Sequence, residues 1–92
     1  MVELFKVVRQ DEVQQVPSQK AEGGMTQRCG IVLKKLGGKY ADEYFATLWG
    51  NDAGLSFAPG DLVGAVLRFA VHEHNGAVFQ DITVAGVVKF NN

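Results

Sequence analysis

Trp49, the one tryptophan of the chain, closes the run Glu43-Tyr44-Phe45-Ala46-Thr47-Leu48-Trp49. In an extended strand, Phe45, Thr47 and Trp49 share one face. Exposed aromatic rings bordered by cations form a surface on which nucleic-acid bases stack, at about 1–3 kcal/mol per base and without sequence readout. Arg28, Lys34 and Arg68 are the candidate phosphate partners, and His72 and Phe79 complete the set. The same rings suit a core or an interface with another protein equally well. Alternation does not decide, because the opposite face, Tyr44, Ala46 and Leu48, is just as apolar.

Other chemistries find less support. His72 and His74 lie two apart and share a side of any strand, but a zinc site needs at least a third ligand, and Glu73 points the other way. No metal or other cofactor is expected. Cys29 is the single cysteine, so the chain makes no internal disulfide. It alternates with Ile31 and Leu33 and reads as a small buried apolar residue. The pairs Asp11-Glu12 and Asp42-Glu43 sit beside turns and read as solvated. No nucleophile elbow, zincin motif or phosphate-binding loop occurs, so the expectation is a protein that is not an enzyme.

The positioning elements are strands. Ninety-two residues make a single domain, 1–92. Hydrophobic residues at 47% against 21% charged exclude a disordered chain. The net charge of -1 requires that any polyanion-binding surface be made by sorting the basic residues onto one face. The N-terminus lacks a secretory pattern and no run approaches about 18 apolar residues, so a cytoplasmic protein with no membrane partner is expected. Glycine punctuation predicts five antiparallel strands, at 2–9, 27–36, 43–49, 62–74 and 77–90.

Residues 10–26 are polar and read as a long mobile connection, and Gly37-Gly38 as a tight turn. Residues 50–61 hold three glycines and a proline, enough for a turn or one helical turn, with Leu55 and Phe57 plugging one end of the core. Gly64 is expected to bend or bulge the fourth strand, with Leu67, Phe69 and Val71 inside and Arg68, Ala70 and His72 outside. Asn75-Gly76 predicts a type I′ hairpin. Five strands that leave no exposed edge make an all-β closed barrel.

Thr47-Leu48-Trp49-Gly50, Pro59-Gly60-Asp61, Leu67-Arg68 and the run Phe79-Gln80-Asp81-Ile82-Thr83-Val84 resemble the single-stranded DNA-binding protein family, an OB-fold family. Small bacterial OB-domain proteins are more similar still. The resemblance spans about residues 27–90. It implies a five-stranded OB-fold barrel, single-stranded DNA as partner, and assembly as a homodimer or homotetramer. It places a stacking aromatic at Trp49 and a basic residue at Arg68. Glu43 stands where many relatives carry an outward tryptophan, Ala70 where many carry a basic residue, and His72 where many carry an aromatic. Weak to moderate affinity is therefore expected. The alternative is an OB-fold module that uses Trp49 and Phe45 to hold another protein and binds no nucleic acid.

Overall fold

A computed structural model describes residues 2–17, 22–37 and 41–90. The strands are β1 (Glu3–Gln10), β2 (Gln14–Pro17), β3 (Met25–Lys35), β4 (Glu43–Trp49), β5 (Leu62–His74) and β6 (Ala77–Lys89). β1 pairs with β3 along Phe5–Gln10 and with β5 along Glu3–Lys6, so it is shared by two neighbours. β3 pairs with β4, β4 meets β6, and β6 pairs with β5, which closes the ring. The barrel expected from the sequence is therefore present. A 3₁₀ turn, Gly50–Gly54, joins β4 to the segment before β5. No helix among the described residues is long and apolar enough to cross a membrane.

Alternation builds the core. Phe5 and Val7 of β1, Cys29, Ile31 and Leu33 of β3, Ala46 and Leu48 of β4, Val63 and Ala65 of β5, and Val84 of β6 point inward and are buried. Ala53 of the 3₁₀ turn caps one end. Cys29 is the small buried residue expected, with its thiol toward the Ala53 carbonyl at 3.8 Å.

The Gln10 side chain holds the segment before β5. Its amide donates to the Leu55 carbonyl at 2.8 Å and accepts from the Phe57 N–H at 2.8 Å. Asp61 is a buried carboxylate at the start of β5. It accepts from the Ala58 N–H at 2.8 Å and meets the Lys89 ammonium at 3.2 Å. The Ala58 N–H, and then Lys89, hold its pKa below the ordinary 3.8 against the opposing effect of burial.

Several expectations are corrected. The pairings are not all antiparallel, because the β4–β6 closure, Thr47 opposite Thr83, is parallel. The stretch 10–26 is not one irregular connection. β2 lies within it and pairs with the first residues of β3, from Gln14 opposite Arg28 to Pro17 opposite Met25. Backbone pairing needs no apolar side chains, so a polar segment can add a strand. Residues 18–21 and Gly38 of the expected turn lie outside the described residues.

Gly64 makes no bulge. A side chain there would come within 2.9 Å of the Phe90 ring, so the glycine serves close packing. The irregularity lies between Val66 and Leu67, opposite Gly86 and Val84, which makes Ala85 the extra residue. Leu55 is exposed and plugs nothing, while Phe57 packs on the core.

The largest correction concerns β5 and β6. Their outer halves run past the barrel as a two-stranded arm, turned at Asn75 and Gly76 with φ of 53° and 81°, as a type I′ turn requires. Phe69 and Val71 therefore lie outside, at 55% and 68% exposure. Only Leu67 of the expected inward set is half-buried against the core. Phe69 meets the edge of Tyr44, which in turn meets Phe5.

Candidate nucleic-acid interface

Because Ala46 and Leu48 are fully buried, Phe45, Thr47 and Trp49 must face outward. On β3 the burial of Cys29, Ile31 and Leu33 turns Arg28, Gly30, Val32 and Lys34 to the same side. Register then sets the rows. Gln14, Arg28 and Trp49 lie side by side on β2, β3 and β4. Gly30 stands beside Thr47, Val32 beside Phe45, and Lys34 beside Glu43.

The Arg28 guanidinium lies 6.0 Å from the centre of the Trp49 ring and donates to the Gln14 side chain at 3.4 Å. A cation near a ring face and a neighbouring amide both restrict the arginine. Trp49 remains 40% exposed.

Phe45 is 58% exposed, yet its ring is not loose on the surface. It lies across β3 at Gly30. A side chain on Gly30 would come within 2.7 Å of two ring carbons and 2.9 Å of the Asp11 carboxylate. Only glycine lets the ring approach the backbone so closely. Ring, glycine and carboxylate border an open cleft of ≈ 280 Å³, lined also by Glu12, Gln14, Arg28 and Thr47.

The remaining candidates are distributed unevenly. Lys34 stands at the far end of the outer face of β3, opposite Lys6 on β1. Lys6, Lys34 and Lys35 line a second hollow of ≈ 330 Å³, where Lys35 is engaged by Glu3 at 3.5 Å. Like charges directly opposite one another are unfavourable, so Lys6 and Lys34 gain from an anion between them. Arg68 is opposite Thr83, which is opposite Thr47, so it lies two strands from the cleft, roughly 10 Å at ordinary strand spacing.

His72 and Phe79 are opposite each other on the arm. Since β4 and β6 run parallel where Thr47 meets Thr83, Phe79, four residues before Thr83, lies toward the Glu43 end of β4 and away from Trp49. His72 reaches Asp81 at 3.0 Å, both exposed. Thus Arg28, Phe45, Thr47 and Trp49 form one surface, while Arg68, Lys34, His72 and Phe79 are at its borders. Among the described residues no cluster of histidine, cysteine and carboxylates could hold a metal.

Sequence reasoning missed three participants. Strict alternation sets Arg9 with Phe5 and Val7, inside; a bulge between Val7 and Arg9 turns it outward, opposite Val32. There it pairs with Asp11 at 3.2 Å. Asp11 itself reads as a solvated loop acid, but its N–H donates to the Gly30 carbonyl at 2.8 Å, which fixes it at the cleft wall. Gly30 carries no signal in a strand beyond being glycine.

No family model matches the chain, and no curated protein matches it. Among solved structures, the chain is similar to the solution NMR structure of the second OB-fold domain of replication protein A from Methanococcus maripaludis. The identity is 15% and the TM-score 0.68, over 99% of this chain and 83% of that one. A likeness at that identity speaks for architecture, and with the closed ring of five strands it makes this chain an OB-fold.

Proposed function

We propose that the chain is a non-enzymatic module that binds single-stranded DNA across the outer face of β3 and β4. The observation that carries this reading is the exposed Phe45 ring, held close against Gly30 at an open cleft that Arg28 also lines, with Trp49 beside Arg28. Phe45 and Trp49, four residues apart on β4 and so roughly 13 Å apart along the strand, offer two separate stacking platforms. Arg28, Arg9 and Lys34 supply positive charge along the strand path, and Arg68 stands at its side. In OB-folds this face, flanked by the loop after the first strand and the last hairpin, is where oligonucleotides bind. Among the described residues those flanks correspond here to 11–17 and 22–24 and to the β5–β6 arm. The nearby carboxylates Asp11, Glu12 and Glu43 keep the affinity modest.

The test is fluorescence anisotropy with a labelled single-stranded DNA of mixed sequence. Trp49→Ala and Phe45→Ala are each expected to lose about 1–3 kcal/mol of affinity while melting as well-folded proteins. Arg68→Ala loses affinity at low salt and little at high salt. Full binding by folded Trp49→Ala and Phe45→Ala proteins would overturn the reading.

A second reading is favoured by the net charge of -1 and by the exposed apolar arm, Phe69, Val71, Val78 and Phe79. In it the barrel is a protein-interaction module, and the arm also joins copies of the chain into a homodimer or homotetramer.

A further inference from the structure

We infer that the cleft beside Phe45 selects guanine, and discriminates against thymine, through the carboxylate of Asp11. This inference rests on the single-stranded DNA reading and deepens it.

A carboxylate in a nucleic-acid site repels phosphate and has no proton to offer. What it can do is accept hydrogen bonds from base edges. Asp11 is built to do so at a defined place. Its N–H is held by the Gly30 carbonyl at 2.8 Å. One carboxylate oxygen, Oδ1, takes the Arg9 guanidinium at 3.2 Å. The other, Oδ2, flanks the vacant side-chain position of Gly30, at 2.9 Å, and the Phe45 ring edge flanks the same point at 2.7 Å. A base stacked on Phe45 therefore brings its edge to an oxygen that is already oriented and has lone pairs free of the Arg9 bond. Glu12 lines the same cleft.

Among the bases, guanine offers two adjacent donors on its pairing edge, N1–H and the 2-amino group, which match a carboxylate. Cytosine and adenine offer one amino group beside a ring acceptor. Thymine offers a single N–H between two carbonyl oxygens, which a carboxylate repels. Single-stranded bases expose these edges once unstacked from their partners. A charge-assisted hydrogen bond that only some bases can make sets the preference, guanine above cytosine and adenine, and thymine last.

The experiment compares labelled oligonucleotides of one length at fixed salt: all thymine, and thymine with isolated guanines spaced to prevent self-association. A third strand carries inosine, which lacks the 2-amino group, at each guanine. The wild-type protein is expected to bind the guanine strand at least tenfold more tightly than the thymine strand, with inosine between. Asp11→Asn keeps the backbone bond to Gly30 and brings the two strands within about twofold. Equal binding of guanine and thymine strands by the wild type overturns the inference and leaves the DNA reading intact. A preference that survives Asp11→Asn, or inosine equal to guanine, also overturns it. Failure to bind any of the strands overturns the DNA reading, and the inference with it.

Discussion

Gly30→Ala separates stacking from stability. The added methyl would meet two Phe45 ring carbons at 2.7 Å and the Asp11 carboxylate at 2.9 Å. Ordinary carbon contacts are about 3.5–4.0 Å, so the ring must withdraw by about 1 Å. Phe45 is exposed and can do this by turning toward solvent, at roughly 0.5–1.5 kcal/mol for a strained rotamer. Replacing a strand glycine returns roughly 0.5–1 kcal/mol through a less flexible unfolded chain. The two nearly cancel, and the melting temperature should move by only a few degrees.

Binding should not be spared. If the ring leaves its position against Gly30, stacking worth about 1–3 kcal/mol is lost, which is roughly five- to 150-fold in affinity. The assay is thermal melting and anisotropy titration on Gly30→Ala and Phe45→Ala together. The expected result is two folded proteins with similar binding defects. Gly30→Ala binding like the wild type while Phe45→Ala fails would refute the argument that the glycine positions the ring. A large drop in melting temperature would refute the argument that the ring can yield.

Three further outcomes follow from the packing. Asp61 has a folded-state pKa below 3.8, so the unfolded chain takes up this proton first as pH falls. Its stabilisation is present above that value and disappears on acidification through the lowered one, so the wild type should lose melting temperature there more steeply than Asp61→Asn; parallel curves would contradict it. Gln10→Ala removes the partners of the Leu55 carbonyl and the Phe57 N–H and should cost about 1–3 kcal/mol in a denaturant titration, with faster hydrogen exchange at Phe57. Unchanged exchange at Phe57 would show that the side chain does not hold this segment. If the arm joins copies of the chain, Phe69→Glu should convert a dimer to a monomer in light scattering without lowering oligonucleotide stacking at Phe45, and a wild type of single-chain mass at high concentration counts against association.

Local rules carried the parts of this protein that depend on near neighbours. The Asn75-Gly76 turn is legible because both residues accept positive φ, whatever surrounds them. The inward set Cys29, Ile31 and Leu33 is legible because the opposite face holds Arg28, Gly30 and Lys34. The order of long strands and the single helical turn before β5 follow from glycine and proline alone, and so lead to a barrel. On β4 both faces are apolar, so alternation grouped Phe45, Thr47 and Trp49 correctly but not their side. That choice was made by closure, when Ala46 and Leu48 met the inward residues of β1, β3 and β5.

Closure also decided what lies outside. Phe69 and Val71 alternate as core residues do, but the ring of strands ends below them, and periodicity carries no information about where a barrel stops. The bulge in β1 inverted Arg9, and backbone pairing drew the polar Gln14–Pro17 into the sheet beside Arg28. Each depends on hydrogen bonds between residues far apart in sequence. Side-chain periodicity reports which residues share a face; only the pairing of distant strands determines which face meets solvent and which side chains meet across it.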